Sequence, residues 1–229
     1  DGLTDVVTAN QGEYYSGCDC YTGGGNLTVL YGSRGDSLVR RSDLPVGIGP
    51  FAVAVGDFDH DHRLDIAAVC VGKWNGTTYS YPGGDSVWIW LGQPQGGFRS
   101  GGKFRAGSRP NDISVADFDG DANLDMAISD YIAGMVSVLY GDGNGAFTRK
   151  EDYGVTGNPA AVRAVDTDRD GWLDIVACDA TTGAVTIVRN SGISMPDSVQ
   201  SPPYLVPAEQ RILHVSQPWP SPTSGAVSL

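Results

Sequence analysis

Three short segments place aspartate at alternate positions and could bind a metal ion. They read DFDHDHRLD (57–65), DFDGDANLD (117–125) and DTDRDGWLD (166–174). In a tight loop, aspartates at positions 1, 3 and 5 direct three carboxylates at one centre. A backbone carbonyl at position 7 and the aspartate at position 9 can complete an all-oxygen shell. Because several carboxylates on a flexible loop favour Ca²⁺ over Mg²⁺, the sequence predicts calcium loops.

These segments differ from EF-hand loops and from zinc sites. An EF-hand needs Glu at position 12, where the segments have Ala68, Ile128 and Ala177, and strand-like residues follow where an EF-hand has a helix. His60 and His62 lie in the first segment. Zinc normally takes three or four ligands, so we expect both histidines to face solvent. The remaining alternative is a set of Asp-rich turns that hold no ion.

The acidic residues are almost all aspartate, with 24 Asp against three Glu, and the formal net charge is −12. This charge argues against nucleic acid and anionic membranes as partners. Short, stiff aspartate suits loops and hard-metal sites. The sequence has no apolar run of 18 residues and no charged-then-apolar leader, so we expect no transmembrane segment.

The Asp segments belong to a longer internal repeat. Residues 57–69, 117–129 and 166–178 superimpose without gaps, and the opening DGLTDVVTAN matches the second half of the unit. The position-9 aspartate therefore recurs at spacings of 60, 60 and 49 residues. β-Branched and aromatic runs separated by Gly, Asp and Asn predict about four strands per unit. The expected fold is all-β, with about 3.5–4 β-propeller blades of four antiparallel strands.

The domain organisation follows from this repeat. Residues 1–193 are predicted to form the blades, of which the first is incomplete. Residues 194–229 are predicted to form an extended Pro-rich tail, because seven of the 13 prolines fall between Pro196 and Pro222. The tail is expected to end in a short strand that has no partner strand after it.

The units resemble FG-GAP/VCBS repeats, the D-x-D-x-D-G-x-x-D-[LI]-[AV] blades of integrin-α-type β-propellers and of many secreted microbial proteins. The resemblance covers about residues 1–190 and implies one Ca²⁺ under each intact blade, about three sites in all. Carried over by position, the ligands are aspartate side chains and one backbone carbonyl per loop. The implied ligands are Asp57, Asp59, Asp61, the Arg63 carbonyl and Asp65; Asp117, Asp119, Asp121, the Asn123 carbonyl and Asp125; and Asp166, Asp168, Asp170, the Trp172 carbonyl and Asp174.

The chain departs from this pattern at position 6, where the family has glycine. His62 and Ala122 replace it in two loops, and Gly171 keeps it. If this position needs positive φ, alanine costs about 1 kcal/mol and histidine somewhat less, so we expect two looser or differently shaped cages. The opening segment lacks its first two aspartates, so Asp1 and Asp5 alone are not expected to form a tight site.

Two insertions rich in aromatic residues and glycine precede third strands, NQGEYYSGCDCYTGGGN (10–26) and KWNGTTYSYPGGD (73–85). They are either ordinary surface loops or recognition loops that contact sugar or protein. The candidate contact residues are Tyr14, Tyr15, Tyr21, Trp74, Tyr79 and Tyr81. Asn26 and Asn75 begin glycosylation sequons, which matter only if the source glycosylates secreted chains.

Cysteine usage gives no disulfide scaffold and no zinc spacing. Cys70 and Cys178 lie in strand-like apolar runs and are expected to be buried, inert thiols. Cys18 and Cys20 lie in a polar loop, where they could pair in an oxidising compartment. The final segment PWPSPTSGAVSL (218–229) resembles the beginning of the C-terminal sorting domains of type IX secretion, which would fit a secreted or cell-surface protein.

The sequence gives no sign of catalysis. None of the three histidines, at 60, 62 and 214, lies beside a nucleophile, and no spacing marks a glycosidase carboxylate pair. We therefore expect a secreted, non-enzymatic calcium-binding propeller for extracellular adhesion or recognition, with a glycan or an extracellular protein as partner. One alternative is a filament subunit in which copies of the chain exchange strands head to tail. Another is a propeller fragment of a larger secreted polysaccharide-acting enzyme.

Overall fold

A computed structural model describes residues 3–15, 20–22, 25–34, 37–72 and 85–192. All regular secondary structure in these ranges is β-strand, and no helix occurs there. In chain order the strands are β1 (Val6–Asn10), β2 (Glu13–Tyr15), β3 (Cys20–Thr22), β4 (Asn26–Ser33), β5 (Ser37–Pro45), β6 (Pro50–Gly56), β7 (Asp65–Cys70), β8 (Ser86–Gly92), β9 (Phe98–Arg105), β10 (Pro110–Ala116), β11 (Asp125–Asp130), β12 (Met135–Gly141), β13 (Phe147–Gly154), β14 (Pro159–Val165), β15 (Asp174–Asp179) and β16 (Val185–Val188).

The strands form consecutive antiparallel sheets, which we number as blades. The first blade has the order β1-β4-β5, the second β6-β7-β8-β9, the third β10-β11-β12-β13 and the fourth β14-β15-β16. Strands β2 and β3 form a separate short hairpin within the first insertion. The predicted all-β class and the four-stranded antiparallel blades are confirmed. No described segment forms a helix with the length and hydropathy that a membrane span requires.

Burial explains why the strand after each Asp loop reads as a continuous apolar run. In the second and third blades this strand, β7 or β11, is buried at every residue. A neighbouring blade packs against each of its faces, so the middle residues of the strand are apolar on both faces, and its few polar residues are buried with hydrogen-bond partners. The last strand of the same blades, β9 or β13, is mostly exposed, with some partly buried residues and the buried Phe147, because it lies at the outer edge of its sheet.

Three hydrophobic clusters lie between consecutive blades and join them into one stack. The clusters unite Leu27 with Ile66, Ile89 with Met126, and Val138 with Ile175, in that order along the chain. Full burial of such a side chain stabilises the folded state by about 1.5–3 kcal/mol. The blades therefore hold each other mainly through their apolar faces.

A proline opens the first strand of the second, third and fourth blades. Pro50, Pro110 and Pro159 each stand seven residues before the first aspartate of the loop that follows. The pairing register shifts directly after each of them, as in a β-bulge. Proline has no N–H, so it fits at a strand start where no ladder hydrogen bond is needed. The equal spacing brings the Asp loops to equivalent places on their blades.

The fourth blade presents an apolar face that the described residues leave partly open. The register places Cys178 between Ala161 and Val185 on this face, beside Val176 and Ile187. Cys178 is exposed, so the prediction that it is buried is wrong. At the same repeat position, Val69 and Ser129 are fully buried because the following blade covers them. Head-to-tail strand exchange between copies of the chain stays a prediction.

Cys70 is a buried free thiol, as predicted, and burial raises its pKa to about 12. The thiol is therefore neutral and unreactive at physiological pH. Cys18 lies outside the described residues. The same holds for the predicted tail at 194–229, including the segment that resembles a sorting domain.

A buried polar cluster links the second and third blades. Asp130 is 1% exposed and accepts a hydrogen bond from the Gly107 backbone N–H at 2.9 Å. The Ser137 hydroxyl contacts Asp130 and also lies 2.6 Å from Oδ1 of Asp152, which pairs with Lys150. One hydroxyl proton cannot serve both carboxylates. Burial raises the pKa of Asp130 to about 6, and Asp152 also raises it, so this acid can carry the second proton.

We predict that the change Asp130→Asn makes the free energy of unfolding depend less strongly on pH. The folded-state pKa of Asp130 lies above its ordinary value of 3.8, so its contribution is full below about pH 4 and is lost as pH rises through about 6. The wild type should therefore lose on the order of 2–3 kcal/mol relative to the asparagine variant between pH 4 and 7.5. Urea unfolding of both proteins across this range measures the difference, and a pH-independent difference would contradict the prediction.

Candidate metal centres

The three Asp loops share one backbone conformation. Each joins the first strand of its blade to the second, and positions 4 and 6 have positive φ in all three. At position 6 the φ values are 64° for His62, 70° for Ala122 and 94° for Gly171; at position 4 they are 55° for His60, 77° for Gly120 and 64° for Arg169. The suspected need for positive φ at position 6 is confirmed. Ala122 therefore stores strain of about 1 kcal/mol that Gly171 avoids.

Carboxylate oxygens converge in every loop. Three acids per loop each offer one oxygen, and these oxygens lie within 4.8 Å of one another. The groups are Asp57, Asp59 and Asp61; Asp117, Asp119 and Asp125; and Asp166, Asp168 and Asp170. The described structure thus brings positions 1 and 3 together in all three loops. Position 5 joins them in the first and last of these loops, and position 9 in the middle one.

The loops hold these carboxylates with the same backbone hydrogen bonds. In the second blade, the position-1 aspartate Asp57 accepts from the His62 N–H at 2.9 Å, and the position-5 aspartate Asp61 accepts from the Arg63 N–H at 2.9 Å. The other two loops repeat both bonds, at 2.8–3.1 Å. The matching geometry of three different sequences indicates one shared loop structure rather than three unrelated turns.

The position-9 aspartate is fully buried and acts as a clamp. Asp65 accepts from the Phe58 N–H at 2.7 Å and from the Gly92 N–H at 2.8 Å. Asp125 and Asp174 make the equivalent pair of bonds to their own loop and to the end of their own third strand. Each carboxylate therefore ties the Asp loop to strand three. A direct ligand role for Asp65, Asp125 and Asp174 stays a prediction.

A glycine at the end of the third strand lets this clamp form. A Cβ at Gly141 would lie 2.3 Å from the Leu124 carbonyl oxygen, and one at Gly92 would lie 2.9 Å from the Leu64 carbonyl oxygen. Gly32 in the first blade has the same close approach, to Thr4, and donates its N–H to Asp5 at 2.8 Å. Sequence reasoning missed these glycines, although each ends a similar apolar run in the printed sequence.

Electrostatics in the loops favour a bound cation. The pKa of Asp125 is raised to about 7, mainly by burial; the charges of Asp119 and Asp121 contribute to the rise, and the Gly141 and Phe118 N–H groups oppose it. Burial raises the pKa of Asp65 as well. Oδ1 of Asp59 and Oδ1 of Asp119 are buried and accept no hydrogen bond from any described residue. Buried carboxylate oxygens without a partner are costly, and a hard cation would satisfy them, so these residues fit Ca²⁺.

Neighbouring loops also contact each other. Nε2 of His60 lies 2.8 Å from Oδ1 of Asn123 in the next loop. The Phe58 carbonyl accepts from the Gly145 N–H at 2.9 Å, and the Phe118 carbonyl accepts from Nδ2 of Asn190 at 2.6 Å. His62 is 96% exposed, as predicted, and His60 is exposed while it makes this contact. The Asp loops of the second and third blades therefore each contact the blade that follows.

The candidate recognition residues are only partly placed. Tyr14 on β2 pairs in register with Tyr21 on β3, and Tyr15 pairs with Cys20. Trp74, Tyr79 and Tyr81 lie outside the described residues. The described backbone pairs β2 with β3 within the first insertion, and the contact role of its tyrosines stays a prediction.

Comparison with known protein families supports the repeat assignment. Residues 124–177 match the FG-GAP-like repeat. The match runs from the second strand of the third blade into the second strand of the fourth, and it includes the whole Asp166–Asp174 loop. Such repeats are typical of extracellular or surface proteins and suggest a propeller-like adhesion or recognition domain. The comparison with curated proteins found no significant match.

We predict that Gly141→Ala destabilises the protein, because its Cβ would collide with the Leu124 carbonyl and displace the N–H that Asp125 accepts. The expected loss in the free energy of unfolding is about 2–3 kcal/mol. Gly154→Ala on the adjacent strand is the matched control, since a Cβ there meets no atom within 4 Å. Chemical denaturation measures both variants, and equal losses would contradict this account of the clamp.

Proposed function

We propose that this protein is a calcium-binding β-propeller module. The observation that carries the proposal is the set of three equivalent Asp loops with converging carboxylates, two of which bury an oxygen that accepts no hydrogen bond from a described residue. A bound Ca²⁺ would supply positive charge that offsets the mutual repulsion of these carboxylates. The residues that would hold it are the aspartates of positions 1, 3 and 5, with Asp125 in the third blade.

The module then works in extracellular adhesion or recognition, and a glycan or an extracellular protein is its partner. The FG-GAP-like repeat at 124–177 supports this class. The net charge of −12 disfavours nucleic acid and anionic surfaces. The aromatic insertions are the candidate contact surfaces, because Tyr and Trp give large contact areas at low entropic cost. We propose no intrinsic catalysis, and we place the protein outside the cell or at its surface.

Calcium binding predicts a measurable gain in stability. Adding Ca²⁺ to chelator-treated protein should give saturable heat in calorimetry and should raise the thermal midpoint, since a ligand bound only to the folded state stabilises it by mass action. A ligand at 100 times its Kd contributes about 2.7 kcal/mol. Mg²⁺ should do so more weakly, because it demands a tighter, octahedral shell.

The matched variants for this experiment are Asp59→Asn and Asp43→Asn. Asp59 belongs to the second-blade loop, whereas Asp43 pairs with Arg41 on the surface of the first blade. Asp59→Asn should lower the number of bound Ca²⁺ by about one and Asp43→Asn should leave it unchanged. Absence of calcium heat in the wild type, or equal binding by the two variants, would refute the calcium proposal.

The recognition role has its own test. Screening against a glycan panel in Ca²⁺ should give binding that weakens by about tenfold or more on Tyr14→Ala, Tyr15→Ala, Trp74→Ala or Tyr79→Ala, since such aromatic contacts dominate binding surfaces. Leu38→Ala is the control, because this exposed residue lies on β5 outside both insertions. If no glycan binds, the glycan form of the proposal is wrong and a protein partner remains.

A further inference from the structure

In each Asp loop, the position-3 aspartate forms an ion pair with an arginine. Nη2 of Arg99 lies 3.3 Å from Oδ2 of Asp59, and Nη1 of Arg149 lies 3.0 Å from Oδ2 of Asp119. Arg189 pairs with Oδ2 of Asp168 in the fourth blade. The same oxygen of the same loop position is paired in all three blades. These arginines lie well away from the loops in sequence.

Strand register explains how the arginines reach the loops. Arg99 on β9 stands opposite Leu91, directly before the clamp glycine Gly92. Arg149 on β13 stands opposite Tyr140, directly before Gly141. In the fourth blade Arg189 itself stands directly before Asn190, which fills the place of that glycine and donates its N–H to Asp174. In all three blades, one arginine therefore lies level with the residue that precedes the Asp-binding N–H at the end of the third strand, and its guanidinium reaches the Asp loop.

The two oxygens of the position-3 carboxylate have different surroundings. The Asp59 side chain is only 10% exposed; Arg99 holds its Oδ2, while its Oδ1 is buried and accepts no hydrogen bond from a described residue. Asp119 repeats this split, with Arg149 on Oδ2 and a buried Oδ1. Oδ2 is paired with the arginine, and Oδ1 remains available to an ion within the loop.

We propose that an arginine and Ca²⁺ share the position-3 aspartate of each loop, and that the arginine sets the calcium affinity. The inference rests on the proposed function, because it takes the loops as calcium sites. A fixed guanidinium beside three carboxylates relieves their repulsion when no ion is bound. The same positive charge repels the incoming cation. The arginine therefore stabilises the loop in the absence of calcium and weakens the affinity of the loop for Ca²⁺.

The loops should differ in affinity because they differ in nearby positive charge. In the second blade, Arg63 also pairs with Asp61, so two guanidiniums face one loop. In the third blade the residue at the same position is Asn123, whose neutral amide donates to Asp121 at 2.7 Å. We therefore expect the second-blade loop to bind Ca²⁺ more weakly than the third-blade loop.

The test compares Arg99→Gln with Arg99→Lys. The glutamine variant should bind Ca²⁺ about three- to tenfold more tightly at one site, because a full charge within contact distance is removed. Its chelator-treated form should melt at a lower temperature than the wild type. The lysine variant keeps the charge and should restore affinity toward the wild-type value. Calorimetry gives the affinity, and thermal unfolding in chelator gives the stability of the ion-free form.

Arg163→Gln is the matched control, since it removes one positive charge from an ion pair with Asp112 outside the Asp loops. Arg149→Gln repeats the test in the third blade if the Arg99 variants fold poorly. An unchanged or weakened affinity in both glutamine variants, with wild-type calcium binding intact, overturns this inference alone. Equal tightening in Arg163→Gln also overturns it, because net charge would then suffice. No calcium binding by the wild type overturns both this inference and the proposed function.

Discussion

The buried position-9 carboxylate is the interaction on which each blade depends. Asp65, Asp125 and Asp174 are 0% exposed, and each accepts one N–H from its own loop and one from the end of its third strand. A charge taken out of water must be met by hydrogen bonds, or its burial destabilises the fold. The two hydrogen bonds that satisfy this carboxylate join the loop, the second strand and the third strand to one another. The glycine that allows close approach and the conformation of the loop both follow from that requirement.

The remaining aspartates of each loop repel one another, and the hydrogen bonds of the position-9 aspartate do not relieve this repulsion. Their carboxylates converge within each loop. Backbone N–H groups satisfy positions 1 and 5, and an arginine satisfies one oxygen of position 3. Oδ1 of Asp59 and Oδ1 of Asp119 stay buried and accept no hydrogen bond from a described residue. The calcium proposal rests on these two oxygens and on the convergence of the carboxylates around them.

Local sequence was enough to predict the Asp loops, the strands around them and the positive φ at position 6. These features depend on residues within a few positions of each other, so spacing and residue type determine them. Arg99 and the exposure of Cys178 could not be predicted in this way. The place of Arg99 depends on pairing between strands, and the exposure of Cys178 depends on which blade lies next to it. The clamp glycines were visible as a recurring pattern, but their reason, a carbonyl across the sheet, is tertiary.

The hydrophobic clusters that join each blade to the next make the described stack resemble a one-dimensional array. In such an array each unit gains stability from its immediate neighbours, so interior units outlast terminal ones. Within the described residues the second and third blades have a neighbour on both sides, whereas the first and fourth have one. A change that opens the cluster between the second and third blades, where Ile89 packs with Met126, would therefore weaken the coupling between the two halves of the described stack.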